Sequence, residues 1–491
     1  MSLSPDFRPS RFPLPLLDAV RSGAGLLYAL VFIEGYVVLA AELIAIRQIV
    51  SYVGNGTDVI SLIIAAVLLP LAFGYYAGGH DLAHRRKTTI RNRLSRNFRV
   101  ALFFLTFGLS LLIVNTFFTT LSGGGVLDRI TQTTLYAAIF LVFPVFCLGQ
   151  TIPLISRYFR SVKTEKVAGR MLAASTLGSF LGSVFSTIVI MAYFGVHVAV
   201  LLALALLVLA IALTDRTLSL RSMTPPLVIF GIALLMNSNT VFDAVGVSYQ
   251  NAYNTVRILE KDGERTLLLN EAASSGYNTK TGETFDYIRQ AETLFIEPLR
   301  RFDTARDILV LGTGGFTFGL KDTINSYTYV DIDPDLKKMA EEEFLQKKLT
   351  PNKKFAPVSA RAFLREAKEK NKSYDLIYID AYNAEMFIPE TLVTREFFGQ
   401  VRAIAKPGGT VLANFVGTPM FRDPYTVNFD ATFRNVFPNV MRIPVGDFDG
   451  WADDPRMILN ILYAAPIPLE DAPQPRIYTD DRNPVYLDKR N

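Results

Sequence analysis

The first 240 residues alternate between long apolar runs and short polar links. Six runs, 24–46, 58–78, 100–121, 134–155, 171–193 and 196–214, approach the roughly 20 apolar residues a helix needs to cross a bilayer. A seventh, Leu227–Met236, is shorter and is closed by Asn237, Ser238 and Asn239. Runs of about 10–14 residues are more often interfacial or re-entrant than spanning. The pattern therefore predicts a tail over 1–22, then a polytopic helical membrane domain over 23–242 with six spans and a short seventh segment. After Phe242 the period changes. The segments NTVRILE and RTLLLNEA flank Lys261-Asp262-Gly263-Glu264, and Asp-Gly between alternating strands is a strong hairpin signal. A hairpin subdomain is expected over 243–290, with a helical stretch from Phe285 to Arg300. Beyond it, short apolar strands alternate with helices. Strands are read at Asp307–Leu311, Tyr327–Pro334, Tyr374–Ile379 and Thr410–Phe415, with helices at Asp335–Lys347 and Thr394–Ala405. Such alternation predicts a Rossmann-like α/β domain with a parallel sheet and right-handed crossovers over 291–491.

Composition agrees with the division. The chain is 50% hydrophobic and only 19% charged, against about a quarter charged in soluble proteins. Charge orients the helices. The link after the second run carries Arg85, Arg86, Lys87, Arg91, Arg93, Arg96 and Arg99, and the link after the fourth carries Arg157, Arg160, Lys163, Lys166 and Arg170. Arg216 and Arg221 follow the sixth, while the opposite links are almost free of Lys and Arg. Positive loops stay in the cytoplasm, so the N-terminus reads as a cytoplasmic tail. It has no small-residue cleavage site of the kind a signal peptide carries. The basic loops are accounted for by orientation, and nothing supports nucleic-acid binding. Cys147 is the one cysteine, which excludes an intrachain disulfide and a cysteine zinc site. His80 and His84 have i, i+4 metal-ligand spacing, but beside an Arg-rich link they read as a surface pair, and no metal is expected. Glu34 and Glu42 lie within the first run. A carboxylate there must face a cavity or a partner, so they mark either a polar path or interhelical pairs. Small residues from Ser175 to Ser186 recur every four positions, a spacing that lets helices approach closely.

Candidate chemistry gathers in the α/β half. Gly312-Thr313-Gly314-Gly315 follows its first strand directly, and the second strand ends in Asp331-Ile332-Asp333-Pro334. Glycines let backbone approach a ligand, and an acid at the second strand end can accept both ribose hydroxyls. Asp331 lies 19 residues after Gly312, close to the spacing of about 20 expected of a ribose-binding acid. Asp380 closes the next strand.

These residues resemble the class I adenosyl-dependent transferases, and among them the spermidine synthases, over residues 243–491. Tyr249-Gln250, Phe285-x-Tyr287, the Gly312 loop, Val330 to Pro334, Asp380, Thr394-x-Glu396-Phe397-Phe398 and Lys406-Pro407-Gly408-Gly409 fall in the family's order. The N-terminal half resembles the membrane domain fused to one branch of that family, at Glu42 with Arg47, Gly74 with Gly78-Gly79, Gly149 to Leu154 and Leu177-Gly178-x-x-x-Gly182. The ending Thr479-Asp480-Asp481-x-x-Pro484 recurs there too. The resemblance implies aminopropyl transfer from decarboxylated S-adenosylmethionine to putrescine or a similar amine. Asp380 matches the first acid of the family's Asp-x-x-Asp and would be the base, with Tyr287 beside the amine. Gly312, Gly314, Gly315, Asp331, Ile332, Ser359 and Ala360 would hold the nucleotide, and Asn383 and Trp451 would face the acceptor. Adenosyl nucleotides are cytoplasmic metabolites, which favours six spans and a cytoplasmic catalytic domain; seven would put it outside. A homodimer is compatible with the family.

Several positions depart from the pattern. The second acid of Asp-x-x-Asp is Asn383, Gly315 replaces the acid that holds the aminopropyl amine, and Ser359 replaces the acid that binds adenine. Ile288 and Arg289 replace a His and a Glu, and Ser274 replaces a nucleotide-contacting Gln. Asp447, Asp449, Asp453 and Asp454 offer either compensating charge or a solvated loop. Fewer ammonium-binding carboxylates leave two further readings open: a methyl- or alkyltransferase using S-adenosylmethionine itself on a membrane-associated substrate, and a transporter with a regulatory nucleotide domain.

Overall fold

The apolar runs fold as long helices. The computed structural model describes the chain except residues 1–23, 55, 81–89, 123–126, 160–163, 216–218, 303, 383–387, 447–457 and 470–491. Helix α1 spans Ala24–Val53, α2 Thr57–Gly79, α3 Ile90–Leu109 and α4 Leu111–Ser122. Helix α5 covers Arg129–Ser156, α6 Lys166–Phe194, α7 Val196–Thr214 and α8 Leu220–Met236. Five of these are long and apolar enough to cross a membrane, and a sixth span results if α3 and α4 count as one. The α3–α4 pair bends by 57°. The bend sits at Ser110, whose hydroxyl turns back to the Thr106 carbonyl and takes a 3.0 Å bond from the Asn237 amide. The Asn237 side chain also accepts from the Leu111 N–H at 3.4 Å. A side chain inserted into the helical ladder is a recognised cause of a kink.

The short seventh run is longer as a helix than as an apolar stretch. Ser219 caps its start by accepting from Ser222 N–H, so α8 has 17 residues, the first turns being polar. That is about 25 Å of helix at 1.5 Å per residue, packed beside α3 and α7.

Helix α1 forms the centre of the bundle, with Leu30, Val31, Val37 and Ile44 fully buried. Its tightest neighbour is α6. A Cβ at Gly178 would lie 2.0 Å from the Phe32 carbonyl oxygen, and one at Gly182 2.2 Å from that of Tyr36. Only glycine permits this approach, so the small-residue stripe is a packing seam. Polar bonds cross it: Ser175 donates to Glu34 at 3.1 Å, Ser179 donates to the Gly35 carbonyl at 3.2 Å, and the Tyr36 and Ser186 hydroxyls meet at 2.9 Å.

After a short helix, α9 at Asn239–Ala244, the strands β1 (Val247–Gln250), β2 (Thr255–Lys261), β3 (Glu264–Leu269) and β4 (Ala272–Asn278) form an antiparallel sheet in chain order. Asp262 and Gly263 both take positive φ, 55° and 88°, the signature of the two-residue turn that Asp-Gly predicts. This sheet groups with the helices. The chain forms two compact units, one of residues 1–284 with 335–347 and 382–390, the other of residues 285–334, 348–381 and 391–491.

The second unit is built on a seven-stranded sheet. Its strands are β5 (Asp307–Leu311), β6 (Ser326–Asp331), β7 (Lys353–Pro357), β8 (Tyr374–Ile379), β9 (Ala405–Gly417), β10 (Met441–Pro444) and β11 (Leu459–Pro466). Their order is β10-β11-β9-β8-β5-β6-β7. Strands β5 to β9 run parallel, while β11 and β10 add antiparallel strands at one edge. The order reverses between β5 and β8. In open α/β sheets that reversal opens a crevice at the carboxyl ends of the strands, and it positions everything below. The sequence-based Rossmann-like reading is the observed architecture of this unit.

Candidate active site

At the switch point, β5 ends in Leu311 and the chain turns at Gly312, where φ is 86°. A Cβ there would sit 2.2 Å from the Asp380 carbonyl oxygen, so no other residue fits. The neighbouring strand delivers Asp380, whose N–H donates to the Leu311 carbonyl at 2.8 Å. Gly312 and the predicted base Asp380 are thus adjacent through their backbones.

The Asp380 carboxylate is gripped from three elements. Tyr287, on helix α10 (Asp286–Ala291), donates its hydroxyl to Oδ2 at 3.2 Å, and Tyr378 on β8 donates to the same oxygen at 3.2 Å. Asn414 on β9 donates its amide to Oδ1 at 2.9 Å. Behind it, the Asn460 amide on β11 donates to the Asn414 carbonyl at 3.0 Å, which fixes the amide's orientation. Phe318 stacks on Tyr378 at 4.2 Å between ring centroids and holds its ring. Burial pushes the Asp380 carboxyl up to about 6, while the bonds from Asn414, Tyr287 and Tyr378 pull it down. Burial wins because a carboxylate removed from water loses more than three hydrogen bonds return. A carboxylate tuned near neutrality can take a proton from an ammonium group during reaction.

Asp331 ends β6 on the other side of Gly312. It is half-buried, accepting the Thr313 N–H at 3.1 Å and the Asp333 N–H at 3.2 Å. Burial raises its carboxyl above the ordinary range, and these backbone bonds oppose the rise. Next to it Ile332 is 48% exposed, an apolar face at the strand end of the kind an adenine ring can cover. Gly314 has φ 47° and Gly315 is buried. Ser359 caps helix α11 (Ala360–Glu369), accepting from the Ala362 N–H at 3.4 Å, and Ala360 is its first residue. Ser359 therefore has a local structural task, whatever else it binds.

The structure brings Asp380, Tyr287 and Gly312 together and puts Asp331, Ile332 and Ser359 at neighbouring positions on the carboxyl edge of the same sheet. Ile288 is buried, and Arg289 pairs with Asp286. Ser274 lies on β4 in the other unit. His84, Asn383, Asp447, Asp449, Trp451, Asp453 and Asp454 lie outside the described residues. Sequence reasoning missed Tyr378, Asn414 and Asn460. A signal existed for one of them: Asn414 is the single polar side chain in the strand core Val411–Val416.

No family model matches the chain. Among curated proteins it is 30% identical over 166 residues to a polyamine aminopropyltransferase of Vibrio vulnificus, covering 32% of this chain and 51% of that one. A polyamine aminopropyltransferase of Oceanobacillus iheyensis is 23% identical over 334 residues, covering 62% of this chain and 63% of that one. The chain thus spans about half to under two thirds of these relatives' length. Among solved structures, a probable spermidine synthase from Corynebacterium glutamicum aligns with 20% identity and TM-score 0.37, covering 44% of this chain and 78% of that one. The sequence matches show that part of this chain is similar to polyamine aminopropyltransferases.

Proposed function

We propose that this chain is a membrane-anchored aminopropyltransferase that uses decarboxylated S-adenosylmethionine and a small amine such as putrescine. The observation that carries the reading is Asp380: a half-buried carboxylate held by Tyr287, Tyr378 and Asn414, poised near neutral pH and set against the glycine loop. Asp331 accepts the ribose hydroxyls in this reading, Ile332 lies against adenine, and Gly312, Gly314, Gly315, Ser359 and Ala360 shape the pocket. Tyr287 lines the acceptor side in this reading, and the family resemblance assigns Asn383 and Trp451 to the same acceptor role. The amine loses a proton to Asp380, and its nitrogen lone pair attacks the aminopropyl carbon beside the sulfonium. The carbon–sulfur bond breaks, its electron pair stays on sulfur, and methylthioadenosine leaves. Holding amine and carbon in line supplies much of the acceleration. Similarity to named polyamine aminopropyltransferases supports the reaction class, and the apolar helices support the anchor.

A second reading has its own observation. Gly315 stands where an acid would hold the donor's amine, so the site lacks a feature that selects the decarboxylated donor. S-adenosylmethionine itself, with methyl or alkyl transfer to a membrane-associated acceptor, is the alternative. Purified protein in detergent, given each donor separately with a diamine panel and a membrane extract, distinguishes the two. Methylthioadenosine from the decarboxylated donor and an amine is the expected product. S-adenosylhomocysteine alone would establish methyl transfer. Nucleotide binding without either product would favour a regulatory domain on a transporter.

A further inference from the structure

We infer that the C-terminal half of this chain works on the non-cytoplasmic side of the membrane. The first compact unit contains both the helices and the small sheet. The basic residues mark one end of the bundle. Arg157 donates to the carbonyls of Gly78 at 3.0 Å and Gly79 at 3.1 Å, tying the end of α5 to the end of α2. Arg99 donates to the Ser222 hydroxyl at 2.6 Å, and Arg91 to the Thr214 carbonyl. The starts of α3 and α8 and the end of α7 therefore share that end. The other end is marked by Gln48 donating to the Leu109 carbonyl at 2.8 Å and by Asn237 bonding Ser110. Helix α8 runs from the first end, at Ser222, to the second, at Asn237.

The small sheet sits on the second end. Arg47 donates to the Asn251 carbonyl at 2.8 Å, and Ser51 meets Thr255 and Asn270, each at 3.2 Å. Arg257 bonds Asn115 at the start of α4. An independent segment agrees: Glu390, from the C-terminal half but part of this unit, accepts from the Thr57 hydroxyl at 3.0 Å at the start of α2. The links at the first end carry seven, five and two Lys or Arg residues over 80–99, 157–170 and 215–221. Those at the second end carry none, one and none over 54–57, 122–133 and 195. Arg129, the one, is paired with Asp58 at 2.7 Å. Positive loops face the cytoplasm, so the sheet faces away from it. From β4 the chain passes directly into the second unit, and among the described residues beyond Thr284 no helix is long and apolar enough to return. Helix α8 is then a seventh crossing, at the short end of the 17–25 residues a span uses. The inference rests on the membrane reading and is independent of the reaction chemistry. It runs against the expectation drawn from nucleotide supply: a donor used there has to be supplied to, or carried across to, that side.

The test is labelling of single cysteines in membranes of known orientation, with native Cys147 buried and unlabelled as the background. Three exposed positions serve: Lys166→Cys at the basic end, Lys280→Cys in the turn after β4, and Lys372→Cys in the second unit. Only variants that label fully after permeabilisation are scored, so a misfolded variant leaves the other reporter in place. A membrane-impermeant maleimide added to intact spheroplasts should label Lys280→Cys and Lys372→Cys at least tenfold more than Lys166→Cys. Labelling of Lys166→Cys alone, equal labelling of all three, or labelling of none before permeabilisation would overturn the inference. Release of the full chain by alkaline carbonate would overturn the membrane reading and this inference with it. Absence of transferase activity alongside the expected labelling would count against the proposed reaction alone.

Discussion

Asp331 and Asp380 close neighbouring parts of one sheet, both carry carboxyls raised by burial, and they are held in opposite ways. Asp331 accepts backbone N–H groups from Thr313 and Asp333. Asp380 accepts side-chain donors from a helix, its own strand and the next strand. A backbone cradle is built locally and suits a group that stays ionised to bind. A side-chain cradle can be adjusted donor by donor, which suits a group whose affinity for a proton must be set.

The largest test of this contrast is Asp380→Asn. It should lower turnover by about 10²- to 10⁴-fold, the usual contribution of a general base, while leaving nucleotide affinity within a few-fold; normal turnover would remove Asp380 as the base. The wild-type rate should rise with pH through about 6 as the carboxyl ionises. The folded value lies above the unfolded value near 3.8, so the native state holds the proton more tightly. The resulting penalty is absent below about pH 4 and complete above about 6, where it reaches ~3 kcal/mol. Denaturation midpoints of wild type should therefore fall relative to Asp380→Asn as pH rises through that window.

Asp331→Ala should reverse the pattern. It should weaken nucleotide binding by roughly 1.5–3 kcal/mol, the scale of a hydrogen bond to a charged group. An unchanged dissociation constant by calorimetry would sink the ribose assignment. Asn414→Ala removes a bond that lowers the Asp380 carboxyl, so its rate profile should move to higher pH, with roughly tenfold less activity near neutrality. A loss of activity with an unmoved profile would make Asn414 merely structural. Tyr378→Phe should shift the profile the same way by less, because Tyr287 still serves the same oxygen.

The contrast also explains what could be read in advance. Asp331 lies 18 residues from Thr313, within one β-α-β unit, so strand pattern, glycines and acid announce it together. The small hairpin was legible for a similar reason, because Asp262-Gly263 carries its own turn chemistry. The cradle of Asp380 joins residues 93 and 34 positions away, and the pairing of β9 with β8 exists only once the sheet has formed. Asn414 and Asn460 follow from that register rather than from any motif. Helix α8 was under-read because hydropathy counts only its apolar core, whereas the Ser219 cap and packing beside α3 and α7 extend it.

Gly312 lies against the Asp380 backbone with no room for a methyl group. In the proposed reaction, donor loop and base therefore share one backbone reference and cannot be re-spaced separately. In that reading a lineage adopting a different amine has freedom on the acceptor flank, around Tyr287. A lineage adopting a different transferred group has its freedom one turn away, at Gly315. The contact divides the pocket of that reading into a donor half and an acceptor half joined at one fixed backbone spacing.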